Sequence, residues 1–240
     1  MPNEIFTDLK GSISSSKHAA FAYAYYCYTD MLYRYCMYHA DRAMNQSEIK
    51  ADLGISPTEK RLDYIIKKDG ILEQIGYIQT ITDYPLSWNL DEGFIQFTSQ
   101  KEYKQNNKIS DITIISQKTT KVKYPIKSFH RTEESREDRL LDGTYYDLSW
   151  THEITYETLR SIVSDPELGY MGFYIYGYIK SKNGLGRREY QLSTRQAKQE
   201  LGMSKNTFLK YASKLEEKRY LLVKRGNKEE REANLYLANP

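Results

Sequence analysis

The chain has few of the residues from which metal centres and disulfide scaffolds are built. Among its 240 residues are two cysteines and four histidines, and no pair of them has the spacing of a zinc site. Cys27 and Cys36 lie within one apolar run, so we expect two free thiols in a reducing compartment. A disulfide-stapled fold is therefore excluded, and we expect no metal.

Targeting signals are also missing. The first ten residues lack the basic stretch followed by an apolar stretch that marks a signal peptide. The segment from Ala19 to Met37 is apolar, but it contains Asp30, Arg34 and several tyrosines, whose burial in a bilayer would be costly. We therefore expect a cytoplasmic protein with no membrane partner.

The usual signatures of catalysis are absent as well. Gly184-Leu185-Gly186 is followed by two arginines rather than by the lysine and hydroxyl residue of a phosphate-binding loop. The histidines lie far apart in the sequence, and a tyrosine nucleophile would need a histidine cluster or several arginines around the phosphate. We therefore predict no enzymatic activity and no cofactor.

Positive charge is concentrated at the C-terminal end. The whole chain has a net charge of only +3, which excludes a polycation that coats nucleic acid indiscriminately. From Gly184 onward there are 13 lysines and arginines against seven glutamates, so this segment is +6 and the rest of the chain is −3. Any basic surface must be local.

The clearest motif begins at Tyr190 and is typical of a strand, a helix, a tight turn, a second helix and a hairpin. Ser193 and Gln196 are spaced as a capping box at the start of the first helix. Gly202 supplies the left-handed conformation that ends this helix, and Ser204 can cap the next one.

An extended pattern follows the second helix, with strands predicted at 220–223 and 233–237 around a polar loop at 224–232. This stretch resembles the winged-helix family of DNA-binding domains, through Leu201-Gly202-Met203-Ser204 at the turn and through residues 215–221 at the entry to the loop. In that family the second helix enters the major groove, and the loop, or wing, lies against the backbone or minor groove.

The resemblance implies which residues meet double-stranded DNA. Asn206 can pair bidentately with an adenine edge, whereas lysines mostly neutralise phosphates. The alternative is a winged helix that binds protein and has a merely solvated lysine-rich face. The implied DNA contacts are Ser204, Lys205, Asn206, Thr207, Lys210 and Lys214 at the helix, and Lys224, Arg225, Lys228 and Arg231 in the wing.

A second copy of the motif lies upstream. Residues 45–56 align with residues 193–204, so that Leu53-Gly54-Ile55-Ser56 matches the turn of the C-terminal copy. Asn45 and Glu48 can form a capping box, and Ser56 followed by Pro57 predicts the start of another helix. A strand is predicted to begin near Gly70-Ile71-Leu72, and an extended region follows to about Ser99.

This second helix would supply four more candidate DNA contacts. Its outer face would carry Lys60, Tyr64 and Lys67, and Arg61 would flank that face. Nearby carboxylates dilute their charge, and two interpretations stay open: this copy contacts DNA, or it joins subunits. A long apolar helix at 17–40, capped within Ser14 to Ser16, favours subunit joining, because it must be covered on more than one side. We therefore expect a homodimer.

The expected fold is mainly α with small β-hairpins, an α+β chain of two winged-helix domains joined by a partly extended connector. The predicted boundaries are 1–100, 101–153 and 154–240, and each winged helix is expected to have its own core. The first helix of the C-terminal domain is predicted at 167–182. Aromatic residues between 150 and 178 fit either core packing or a platform for unpaired bases.

This architecture predicts a sequence-specific protein that binds double-stranded DNA. It is similar at fold level to plasmid or phage replication initiators, which implies a role in replication or its control. One alternative is a dimeric transcriptional regulator that binds operator DNA. Another is an adaptor that uses one winged helix for DNA and the other for protein.

Overall fold

A computed structural model describes residues 1–39, 44–106, 121–184, 188–227 and 232–239. The structure is mixed α/β, about 49% helical and 15% strand. Its helices are α1 Ile5–Ser12, α2 Ser16–Arg34, α3 Gln46–Asp52, α4 Asp63–Ile66, α5 Ile71–Gln74, α6 Gln100–Asn106, α7 Ile126–Phe129, α8 Glu133–Glu137, α9 Tyr156–Ser164, α10 Gly169–Asn183, α11 Thr194–Leu201 and α12 Lys205–Glu217. Its strands are β1 Gln79–Ile81, β2 Pro85–Asp91, β3 Phe94–Ser99, β4 Val122–Tyr124, β5 Tyr190–Leu192, β6 Leu221–Lys224 and β7 Asn234–Ala238.

Helix α2 forms the centre of the molecule. It begins as predicted, because the Ser15 side chain accepts a hydrogen bond from the His18 backbone N–H. All its residues from Ala19 to Tyr33 are buried, since α1, α9, α10 and β4 pack around it. It ends at Arg34, earlier than predicted. Within the described ranges no helix is long and apolar enough to cross a bilayer.

The expected homodimer depended on an apolar face of α2 that a second subunit would cover. Such a face does not exist on this helix, because its apolar side chains pack inside the chain itself. Tyr26 meets the edge of Tyr77 with ring centroids 5.1 Å apart, and Tyr33 packs against Phe97 and Tyr124. The helix therefore supplies the core of one chain, and the argument for a dimer through it was wrong.

Helix α10 packs along α2 and joins the N-terminal and C-terminal halves. Residues 171–179 of α10 are all buried. The buried side chains of both halves, together with Val122, Ile126 and Phe129 from the predicted connector, form one continuous core instead of the two expected. Both helices are apolar around most of their circumference, so each has an apolar face that its own half leaves uncovered. These two faces pack against each other.

The upstream copy of the motif is only partly formed. Helix α3 begins with the predicted capping box, in which the Asn45 side chain accepts from the Glu48 N–H and the Glu48 carboxylate accepts from the Asn45 N–H. The helix predicted from Ser56 is absent. Residues 56–62 form turns, and α4 occupies only one helical turn after them.

Local hydrogen bonds explain why that helix does not form. The Glu59 carbonyl accepts from Lys50 Nζ at 2.6 Å, although in a helix it would accept from the Asp63 N–H. The Glu59 carboxylate in turn accepts from the Arg61 N–H at 2.8 Å and closes a turn. The side chains of Lys50 and Glu59 therefore satisfy backbone groups that a helix would have used.

The region after Gly70 also differs from the predicted strand. Residues Ile71–Gln74 form α5, and the extended region begins only at β1. Strand β1 pairs with the buried β4 from the predicted connector, while β2 and β3 form an antiparallel hairpin of their own. Residues 112–115, the segment of the connector whose sequence favours a packed strand, lie outside the described residues.

The C-terminal half follows the predicted order of elements. Ser193 and Gln196 form the capping box, Gly202 has a φ of 66°, and Ser204 accepts from the Thr207 N–H. Strands β5, β7 and β6 form a three-stranded antiparallel sheet, in that order. Helix α10 begins at Gly169, two residues after its predicted start.

Candidate nucleic-acid interface

Helix α12 has one packed face and one open face. Phe208, Ala212 and Leu215 are buried against α10, α11 and β6, and the Phe208 ring meets the edge of Tyr236 at 5.8 Å. The spacing of the apolar residues at i, i+4 and i+7 explains this packing. The opposite face is exposed to solvent. It presents Lys205, Asn206, Leu209, Lys210 and Ser213.

Lys205 and Lys210 are the candidate cations of α12 that remain open to a ligand. Both are exposed, and no carboxylate within the described part of the chain forms a salt bridge with either one. Lys210 Nζ lies 5.4 Å from the centroid of the neighbouring Tyr211 ring. With Asn206 between them in the sequence, these lysines place two positive charges and one amide on the open face.

Ser204 and Thr207 have a different role. Their hydroxyls lie 2.9 Å apart, and the Ser204 hydroxyl caps the helix by accepting from the Thr207 N–H at 3.2 Å. These groups satisfy the first turn of α12 and fix its start directly after Gly202.

The lysines at the other end of α12 are held by carboxylates of the chain. Lys214 Nζ lies 2.5 Å from a Glu167 oxygen, and Lys218 Nζ lies 2.6 Å from Asp165 and 3.2 Å from Glu167. The hydrogen bond from Lys214 and the one from Lys218 lower the pKa of Glu167, and the same contact raises the pKa of Lys214. These pairs anchor α12 to the turn between α9 and α10.

The predicted wing is described only at its two ends. Arg225 forms an ion pair with Glu216, and Lys224 forms one with Glu189, although both cations stay largely exposed. The Gly226 N–H donates to the Asn234 side chain at 3.1 Å, which ties the beginning of the loop to β7. Lys228 and Arg231 lie outside the described residues.

The four candidates in the N-terminal copy do not share the face of one helix. Lys60 and Lys67 are exposed in the turns on either side of α4. Arg61 binds the Glu59 carboxylate, and these hydrogen bonds lower the pKa of Glu59 to about 2. The Tyr64 hydroxyl lies 3.0 Å from His18 Nδ1. Only the two lysines are therefore open.

The structure brings this turn region close to Tyr170 of α10, which sequence reasoning missed. A cavity of about 190 Å³ is lined by Lys17 and Arg61 from the N-terminal half and by Tyr170 from α10. Burial raises the pKa of Tyr170 to about 12, with smaller contributions from Tyr211 on α12 and from Glu59. No local pattern predicts this contact, because its partners lie more than a hundred residues apart in the sequence.

The predicted aromatic group divides sharply by burial. Only Trp150 is strongly exposed, at 82%. Most of the others contribute to the hydrophobic core, as the core-packing interpretation expects. The buried members are His152, Phe173, Tyr174 and Tyr178, and the half-buried members are Tyr156 and Tyr170.

In the part of the chain that the structure describes, no cluster of three histidine, cysteine or acidic side chains could hold a metal ion. Comparison of the chain with protein-family models, with curated proteins and with solved structures finds no match. The candidate interface on α12 therefore rests on the geometry and charge of this helix alone.

Proposed function

We propose that this chain is a sequence-specific protein that binds double-stranded DNA, and that its C-terminal half is a winged helix. The observation that carries the proposal is the open face of α12, where Lys205, Asn206 and Lys210 follow the tight turn at Gly202. At 13 residues α12 is about 20 Å long. The major groove, roughly 12 Å wide, admits such a helix.

The order of elements supports this proposal. Helix α10, β5, α11, α12 and the β6–β7 hairpin follow one another as the helices, strands and wing do in winged-helix domains. In this arrangement the N-terminal turns of α12 enter the groove. Asn206 then reads a base edge, while Lys205 and Lys210 neutralise phosphates on either side.

Within this proposal, replication control on a plasmid or phage is the favoured biological role. The alternative, a dimeric operator-binding regulator, requires a subunit interface that α2 does not provide. Footprinting on DNA that flanks the gene separates the two roles. Repeated direct sites near an AT-rich tract support replication, and one palindrome over a promoter supports transcriptional regulation.

Removing the two open lysines tests the interface. Replacing both Lys205 and Lys210 with alanine should weaken binding to duplexes of any sequence. It should also flatten the dependence of log Kd on log salt by about two units, since each lost phosphate contact removes about one. Fluorescence anisotropy over a series of salt concentrations measures both effects.

The matched control removes the same charge elsewhere. Lys104 and Lys121 are exposed in the predicted connector, and their double alanine variant should retain the wild-type slope. Asn206→Ala should relax preference at one base position by about 1–3 kcal/mol and leave nonspecific binding nearly unchanged. An unchanged slope in the Lys205/Lys210 variant would assign this face to protein contacts instead.

A further inference from the structure

Trp150 exposes a large apolar ring that folding normally buries. It is 82% exposed and lines a cavity of about 390 Å³. Cavities of this size fall within the range that holds small ligands. Phe6 lies at the apolar part of the lining, and Arg131 and Lys182 supply positive charge. The cavity shares no lining residue with α12.

The backbone holds Trp150 in place at an energetic cost. Its φ is 58°, in the left-handed region that side chains with a Cβ rarely adopt. The Asn3 N–H donates to the Trp150 carbonyl at 2.8 Å, and Pro2 and Thr151 form an antiparallel bridge beside it. Strained residues that their surroundings hold in place cluster at functional sites. The backbone that carries the exposed ring is therefore held in place by its neighbours.

The two cations beside the cavity each have a carboxylate partner but stay accessible to a ligand. Arg131 lies 2.6 Å from Asp147, and Lys182 lies 3.0 Å from Glu200, yet about a third of each cationic side chain stays exposed. The carboxylate on the lining, Glu4, lies 3.8 Å from Lys127. The cavity thus combines one exposed indole with two accessible cations at its edge, each of which also has a carboxylate partner.

We propose that this cavity binds an unpaired nucleotide, with the base stacked on the Trp150 indole and the phosphate near Arg131 or Lys182. Stacking on an aromatic ring suits any base, because every base has a flat π face. A base within a duplex is already stacked on its neighbours, so the site selects unpaired nucleotides. The source is either single-stranded DNA or a free nucleotide, and the two share this chemistry.

Intrinsic fluorescence gives a direct test, because the chain has only two tryptophans. In a Trp88→Phe background Trp150 is the single indole. We expect a single-stranded oligo(dT) to quench its emission, while a blunt duplex of equal length quenches it much less. Thymidine monophosphate in a parallel titration distinguishes the sources. Equal quenching per nucleotide indicates a free-nucleotide site, and quenching by the oligomer alone indicates a strand.

Trp150→Gly removes the ring without disturbing the fold. Glycine accepts the positive φ, and the exposed ring contributes little packing, so the melting temperature should not fall. Affinity for labelled oligo(dT) should drop about 5- to 150-fold, as expected for the loss of one stacked base. Duplex binding through α12 should persist, so this proposal and the duplex-binding proposal fail independently.

Three results would overturn the proposal. They are unchanged Trp150 emission with both oligo(dT) and the monophosphate, equal oligo(dT) affinity in the wild type and Trp150→Gly, and quenching by the duplex as strong as by the single strand.

Discussion

At His152 three segments that lie far apart in the sequence meet through two hydrogen bonds. Its Nδ1 lies 2.8 Å from the Asn3 side-chain oxygen, and its Nε2 lies 2.8 Å from the Tyr23 hydroxyl. An amide oxygen only accepts, so Nδ1 carries the proton and Nε2 accepts from the tyrosine. The neutral imidazole is thus fully satisfied, and burial lowers the pKa of His152 well below its usual value.

Gly177 provides the space that this arrangement needs. A Cβ at Gly177 would lie 2.1 Å from the Tyr23 hydroxyl oxygen, at the contact between α10 and α2. We expect Gly177→Ala to lower the free energy of unfolding by about 1–3 kcal/mol, because a buried ring must move. Gly11→Ala is the control. Its Cβ would contact nothing and it lies in α1, so it should stabilise the chain by up to about 1 kcal/mol.

Urea unfolding of the two alanine variants measures both effects. If Gly177→Ala were as stable as the wild type, Tyr23 would have room to shift, and the close packing of α10 on α2 would not be a constraint.

Among the elements, α12 depends on counter-charges that it does not itself carry. Glu167 binds Lys214, and Asp165 and Glu167 together bind Lys218 directly after the helix, so two carboxylates from the turn before α10 partly neutralise two lysines. Exposed pairs of this kind contribute little to stability, typically below about 1 kcal/mol. Their larger effect is to reduce the net positive charge at this end of α12, which would face a phosphate backbone in the proposed complex.

Glu167→Gln should therefore strengthen duplex binding. The substitution keeps the size of the side chain and removes the nearest carboxylate partner of Lys214, while Asp165 still holds Lys218. The slope of log Kd against log salt should therefore steepen by up to about one unit. The melting temperature should change little. Glu157→Gln, at an exposed position on α9, removes the same charge away from α12 and should leave the slope as it is. Weaker binding after Glu167→Gln would mean that the carboxylate positions α12 rather than shielding it.

The elements that the sequence predicted well are those whose ends are fixed locally. Both helices after Tyr190 begin and end within a residue or two of prediction, because Ser193, Gly202 and Ser204 act on their own neighbours. The helix predicted at Ser56 failed because Lys50 takes the Glu59 carbonyl, a contact that no capping pattern reveals.

The candidate site was predictable only in part, for the same reason. The open face of α12 follows from apolar spacing within one helix. The ion-pair partner of Lys214 does not follow from that spacing, because Lys214 and Glu167 lie 47 residues apart in the sequence. Which lysines are open to a ligand is therefore a property of the fold.

For the molecule as a whole, the two apolar helices α2 and α10 determine the architecture. Each is too apolar to leave a face in water, and packing them together merges the two halves into one core. Helix α1 contacts both α2 and α11, which adds a second connection between the halves. Disturbing the centre of this core should therefore affect both halves together.

Acid should destabilise the whole molecule through His152. Its pKa is lowered in the folded chain, so below about pH 6.5 the unfolded chain binds a proton that the folded chain does not. The stability that depends on the neutral imidazole is present above this pH and is lost as the pH falls. Each pH unit below 6.5 should cost up to about 1.4 kcal/mol.

Other buried groups titrate too, so the effect of His152 is best isolated with a variant. The raised pKa of the buried Asp30 acts in the opposite direction, because its folded form holds a proton that the unfolded form releases. The test compares the wild type with His152→Gln. The glutamine amide can both accept a hydrogen bond from and donate one to the same partners. Urea unfolding measures how far the free energy of unfolding falls between pH 7.5 and pH 5.0. This fall should be smaller in the variant than in the wild type, by up to about 2 kcal/mol.

The control is His130→Gln, at a half-buried histidine. Its free energy of unfolding should fall as much as that of the wild type because His152 is intact. Equal losses in wild type and His152→Gln would show that acid sensitivity arises elsewhere and that the Asn3–His152–Tyr23 contact does not govern it.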